Sequence, residues 1–326
     1  MRALTTRRSC TRNGSSLSFS RMATYTTFKR ESLERYLIMF ELGELLDYEP
    51  ITEGIENSNY FLRFDDNDSE FVLTITESLD FSEVAFFNDL LQVLAKSGLP
   101  VPQPQLTLDG MSSTIFKGKP TWLFNRLPGS HPNTTTETQC EQIGEALAKL
   151  HIGGQSARYE RANAYSTTWA TAALKQVEGN LAELDRHRLG QVVERYAIEG
   201  GALPRGIIHG DLFRDNALFE GDALTGVIDF YHACEDYLIQ DIAITLNDWC
   251  CDGGEDVASK GQALIRGYES IRILENEEHK ALPRFREFAA MRFALTRLLA
   301  GRTDSPVKNP REFLDLLTRL QADQET

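Results

Sequence analysis

The apolar positions of this chain change period along its length, and the change divides it. Short alternating runs at residues 48–52, 60–64 and 71–76 predict strands of one antiparallel sheet, with Asp65-Asp66-Asn67-Asp68 turning the second into the third. A helix over residues 29–40 precedes them. Val84, Phe87, Leu91 and Leu94 then recur at helical spacing up to Gly98, where Pro100 and Pro102 bar any continuation. A further strand at 121–124 completes this part. Beyond it the pattern is helical, at 136–151, 241–251, 284–300 and 310–320, with Gly301 and Asn309-Pro310 as stop and start signals. The predicted class is α+β.

Two apolar strand-like flanks, Gly206-Ile207-Ile208 and Ala217-Leu218-Phe219, enclose His209-Gly210-Asp211-Leu212-Phe213-Arg214-Asp215-Asn216, and Asp229 follows at the end of Val227-Ile228. An Asp and an Asn five apart on a loop, with a second Asp ending a strand, are the parts phosphoryl transfer needs: a base at Asp211 and magnesium ligands at Asn216 and Asp229. That chemistry asks little covalent help and much positioning and charge neutralisation. Arg214 either points a cation at the transferred group or is a solvated loop arginine.

The loop resembles HxDxxxxN of the aminoglycoside phosphotransferase and choline kinase superfamily over residues 25–320. Leu147-Ala148-Lys149-Leu150-His151 and Asp241-Ile242-Ala243 are similar to two of its further motifs. Within it the chain resembles the homoserine kinases through Glu53-Gly54-Ile55-Glu56-Asn57-Ser58-Asn59-Tyr60, Leu212-Phe213-Arg214-Asp215-Asn216 and the stretch from Ile228 through Asp241 to Cys250. The resemblance implies a two-lobed protein-kinase-like fold, with an antiparallel sheet and helix in the N-lobe and a mainly helical C-lobe. It also implies transfer from ATP to the homoserine hydroxyl, on the path to threonine. The expected division is 22–124 for the nucleotide-binding lobe, 125–129 for the hinge and 130–326 for the catalytic lobe.

Gly54, Asn57, Ser58 and Asn59 alone read as a hairpin turn; their place ahead of the catalytic motifs, together with the resemblance to the homoserine kinase stretch, implies a loop over the phosphates. The family's strand-3 lysine is missing, since Thr74 stands there, and Arg63 on the neighbouring strand is the expected substitute, with Glu83 left without a role. Homoserine is a zwitterion and needs a carboxylate and a cation near its hydroxyl; Tyr231, Asn247, Asp248 and Arg292 are the expected wall. Arg292 and Arg297 lie about 140° apart around a helix, so one of them is structural. Asp241 is expected to hold loop backbone and Trp249 to be core. Kinases for choline, an aminoglycoside or a sugar-like metabolite, and a pseudokinase, are the alternatives.

Composition narrows the setting. Of 326 residues 41% are apolar and 25% charged, enough for one large or two moderate cores. Net charge is −14, yet residues 1–21 hold five arginines and no acid, leaving −19 for the remainder. So acidic a body argues against nucleic acid or anionic lipid as partners. No apolar run approaches the roughly 20 residues of a bilayer span. Five cysteines without metal-type spacing favour a reducing, cytoplasmic setting, with the protein a monomer or homodimer. Residues 1–21 fit either a targeting peptide or a stretch upstream of a true start at Met22; the latter is the expectation.

Overall fold

In the computed structural model, described over residues 26–51, 57–65, 67–198, 203–252, 255–301 and 309–322, the two periods become two lobes. Helix α1 (Arg30–Leu37) leads into β1 (Leu45–Ile51), β2 (Asn57–Phe64) and β3 (Asn67–Thr76), then α2 (Val84–Lys96), β4 (Thr114–Phe116) and β5 (Lys119–Asn125). The sheet order is β1-β2-β3-β5-β4, with antiparallel neighbours throughout. One face buries Leu62, Leu73, Ile75 and Leu123 under Leu33, Tyr36 and Leu37 of α1. The other meets α2, where Trp122 of β5 donates its indole N–H to Asn88 Oδ1 at 2.8 Å.

Local signals set the ends of α2. Asp80 accepts from the Ser82 amide at 2.8 Å, and the Glu83 carboxylate accepts from the Asp80 amide at 3.0 Å, which satisfies donors that a helix start leaves open. Gly98, at φ +80°, ends it in the left-handed region.

The helical lobe comprises α3 (Glu137–Gly154), α4 (Thr167–Val177), α5 (Glu183–Ile198), α6 (Leu238–Trp249), α7 (Ala258–Glu269), α8 (Asn276–Ala300) and α9 (Arg311–Ala322). Two small antiparallel ribbons carry the loops between them: β6 (Arg205–Ile208) with β9 (Cys234–Tyr237), and β7 (Ala217–Glu220) with β8 (Ala223–Val227). The sequence pattern does not predict α4, α5 or α7. It also starts α8 eight residues late, because Pro283 lies inside the helix.

Helices α3 and α7 touch through glycine. A Cβ on Gly144 would stand 2.0 Å from the Leu264 carbonyl oxygen, and one on Gly267 1.9 Å from that of Glu141. Alanine at 267 gains about 1 kcal/mol of helix propensity. It must nevertheless push backbone against backbone, so Gly267→Ala is expected to lower stability by about 2 kcal/mol net. A melting temperature at or above the parent's would show that the crossing is looser than this. No helix among the described residues is long and apolar enough to cross a membrane.

Candidate active site

The loop from His209 to Asn216 joins β6 to β7 and is held from beneath by one carboxylate. Asp241, fully buried in the first turn of α6, accepts from the His209 amide at 2.7 Å and the Gly210 amide at 2.9 Å. His151, at the end of α3, meets the same carboxylate through Nε2 at 3.2 Å and Tyr268 Oη through Nδ1 at 2.8 Å. Burial by itself pushes the Asp241 carboxyl up, but the hydrogen bonds from His151 and the loop amide bring it below the ordinary carboxylate range. Asp241 therefore holds loop backbone, as its place in the sequence suggests.

His209 ties the loop to the strand that ends at Asp229. Its Nδ1 accepts from the Asp211 amide at 3.3 Å, so Nε2 carries the proton and donates to the Ile228 carbonyl at 3.0 Å. Burial pushes its pKa down to about 4, which keeps the ring neutral in that tautomer. Gly210 sits at φ +77°, and a Cβ there would lie 2.8 Å from the His232 carbonyl. The Trp249 indole N–H reaches the Leu212 carbonyl at 3.1 Å from an otherwise fully buried ring.

Asn216 donates its Nδ2 to the Asp211 carbonyl at 2.7 Å and to Asp211 Oδ2 at 3.2 Å, which leaves the amide oxygen as its ligand atom. Asp229 stands at φ 64°, ψ 60°, a left-handed conformation uncommon for aspartate and persistent only where the surroundings enforce it. Among the described residues no three or more His, Cys, Asp or Glu side chains converge on a metal position by themselves. The Asn216 amide oxygen and the Asp229 carboxylate are hard oxygen donors of the kind that suits a magnesium ion sharing its coordination with phosphate and water.

Several expected contacts fall elsewhere. Arg214 is spent on Asp248, which accepts from its amide at 2.7 Å, its Nε at 3.1 Å and its Nη2 at 3.4 Å. Burial pushes the Asp248 carboxyl up and Arg214 opposes that. The two residues thus brace the loop on α6, where the expectations were a substrate carboxylate at Asp248 and, at Arg214, either a cation for the transferred group or a solvated arginine. Asn247 is buried against α8, donating to the Arg286 carbonyl and accepting from Arg286 Nε, each at 2.8 Å. It belongs to the contact between α6 and α8. Tyr231 packs its ring 5.5 Å from Phe87 and 6.4 Å from Trp122. Burial raises its phenol, Asp229 raises it further, and a hydrogen bond with Thr74 lowers it. Tyr231 therefore joins the lobes. Arg292 donates to the Gly210 carbonyl and lies 4.1 Å over the Tyr165 ring, while its buried Nε has no hydrogen-bond partner. Arg297 is the structural one, paired with Glu312 at 2.7 Å.

In the sheet lobe, residues directly opposite on antiparallel strands share a face. Asn59 faces Thr74, and Thr74 faces Trp122, so all three lie on the α2 side. Asn57, two residues earlier, shares that side. Ser58, opposite Ile75, turns to the other side; its hydroxyl donates to Glu77 and accepts from the Thr26 amide at 2.7 Å. The expected phosphate donor is thus a fully buried part of a Thr26–Glu77–Lys119 network. Gly54 lies outside the described residues. Arg63 is six residues from Asn57, about 20 Å along an extended strand, paired with Asp47 at 2.8 Å. It lines a cavity of about 670 Å³ with Leu46, Glu70, Arg126, Leu127 and Gly129 where the chain leaves β5. From Asn59, the residue opposite Thr74, it stands four residues, about 13 Å, along β2.

Arg161 is a residue that sequence reasoning misses, because it sits on the link from α3 to α4 with no motif around it. It meets Glu83, whose expected role was empty, at 2.5 Å.

The model of the phosphotransferase enzyme family matches residues 47–274. The chain belongs to this family. Its kinship within it is with homoserine kinases: that of Methylobacillus flagellatus is 40% identical over 85% of this chain and 87% of its own. That of Azorhizobium caulinodans is 37% identical over 92% and 95%. Among solved structures, an amicoumacin kinase bound to AMP-PNP and Ca2+ superposes with a TM-score of 0.68 at 16% identity, over 91% of this chain and 93% of that one. A microcompartment-associated aminopropanol kinase gives 0.60 at 17%, over 89% and 97%. These likenesses establish the two-lobed kinase fold.

Proposed function

We propose that this family member is an ATP-dependent homoserine kinase that forms O-phosphohomoserine. The observation that carries the proposal is 37–40% identity to homoserine kinases along nearly the whole of both chains. Residues 22–124 form the nucleotide-binding lobe, 125–129 the hinge and 130–326 the catalytic lobe. The nucleoside lies in the cavity lined by Leu46, Arg63 and Leu127, and the phosphates lie beside Asn57 and Asn59.

Asp211 accepts a hydrogen bond from the homoserine hydroxyl, aligns its oxygen with the γ-phosphorus, and takes the proton as the new P–O bond forms and the bond from the γ-phosphorus to the bridging oxygen breaks, with ADP as the leaving group. Asn216 fixes the Asp211 carboxylate by donating to it, and holds magnesium together with Asp229. Magnesium supplies charge neutralisation on the phosphates. Arg292, whose buried Nε still has a donor to give, receives the homoserine carboxylate.

The test is ADP release by protein starting at Met22, given magnesium ATP with homoserine, serine, choline, a sugar alcohol or kanamycin. Turnover on homoserine far above the rest is the expected result. Preference for another acceptor would overturn the substrate assignment and keep the reaction class, while ATP binding without turnover on any would argue for a pseudokinase.

A further inference from the structure

We propose that Arg161 is a positioning residue that registers α2 and the segment after Asp229 with one another, in place of the absent lysine–glutamate pair. Five contacts converge on it. Its Nε donates to Glu83 Oε1 at 2.5 Å, at the start of α2. Its Nη1 donates to the carbonyls of Tyr231 at 2.9 Å and Ala233 at 3.0 Å. Its own carbonyl accepts from the Glu235 amide at 2.7 Å, and its guanidinium lies 5.3 Å over the ring of Phe87 on α2.

The chemistry explains why arginine stands here. A planar fork can serve a carboxylate with one edge and carbonyls with another, whereas the single ammonium of lysine cannot hold that arrangement. The segment it grips needs holding, because Asp229 occupies a left-handed conformation that only surrounding contacts can enforce. Tyr231, gripped through its carbonyl, also presents its hydroxyl to Thr74, the residue standing where the lysine is missing. Strand, helix and Asp229 segment are thereby joined without a lysine.

The same link provides its own control. Arg158, three residues earlier, binds the buried carboxylate of Asp89 on α2 at 2.8 Å through Nε and at 2.6 Å through its amide. It fastens the same helix to the same link and, among the described residues, makes no hydrogen bond or ion pair with the segment after Asp229.

The inference rests on the phosphotransferase reading but not on homoserine as the acceptor, so two readouts are used. On the best acceptor from the panel, Arg161→Ala is expected to lower kcat by about 100-fold, the scale of a small misplacement of catalytic groups, with the acceptor KM moving less than about threefold. Arg161→Lys, which keeps the charge and loses the fork, is expected to stay within about tenfold of Arg161→Ala. Without any acceptor, amide exchange at residues 230–235 is expected to accelerate in Arg161→Ala and to stay at the parent rate in Arg158→Ala. Glu83→Gln, which leaves the carbonyl contacts intact, separates loss of register from loss of fold, and an intermediate kcat is expected. Equal effects of Arg158→Ala and Arg161→Ala on kcat and exchange, or full activity in Arg161→Lys, would overturn the proposal. If the parent turns over no acceptor, the functional proposal fails while the exchange comparison still decides this one.

Discussion

Asp211→Asn lowers kcat by about a thousandfold and leaves nucleotide affinity nearly unchanged. That is the outcome expected from the geometry, and the magnitude is that of a lost general base. Asparagine is isosteric and can keep its oxygen toward Asn216 Nδ2, which sits 3.2 Å from Asp211 Oδ2, so the loop should hold its shape. The side chain then turns a donor toward the acceptor hydroxyl and can take no proton. Asp229→Ala is the contrast, since removing a magnesium ligand is expected to weaken magnesium–nucleotide binding itself. Single-turnover rates and calorimetric titration of magnesium AMP-PNP separate the two. An Asp211→Asn enzyme as fast as the parent would mean that the catalytic loop is misassigned.

The second large effect lies beneath the loop. Asp241→Ala is expected to cost about 3–5 kcal/mol, the range for removing one partner from a buried ionised network. It leaves the His209 and Gly210 amides without an acceptor and His151 Nε2 facing an empty place. Turnover should fall with stability, because the same amides fix the backbone just before Asp211. Asp241→Asn keeps one acceptor oxygen and is expected to lie between parent and alanine variant. Urea unfolding measures the first effect and kcat the second; a Asp241→Ala protein with the parent's midpoint would show that the loop has other support.

These two predictions use residues that the sequence already singles out, and the reason is local. Phosphoryl transfer places its groups within one short loop and one strand end, so the proposed Asp211, Asn216 and Asp229 are legible from spacing, and the structure adds that Asn216 donates to Asp211. The strands and α2 are legible for a similar reason: their periods of two and 3.6 mark which face meets a core. Helix α7 is not, because Gly261 and Gly267 dilute its pattern, yet Gly267 is what lets it reach the α3 backbone. Helix α5 is polar along most of its length and is held by contacts such as Tyr196 stacked on Phe288 at 3.7 Å.

By itself, then, the sequence determined the class of fold and the family and marked the groups proposed to react, since each is written in residues near one another along the chain. The tertiary structure alone decided which polar side chains are free to meet a ligand. Pairing spends Arg214 on Asp248 and Asn247 on Arg286, and strand register turns Ser58 away from the α2 face that carries Asn59. It also brought Arg161 to Glu83, 78 residues away, and to Tyr231, 70 residues away. Contacts at such separations depend on the packing of whole elements, and no periodicity within a segment encodes them.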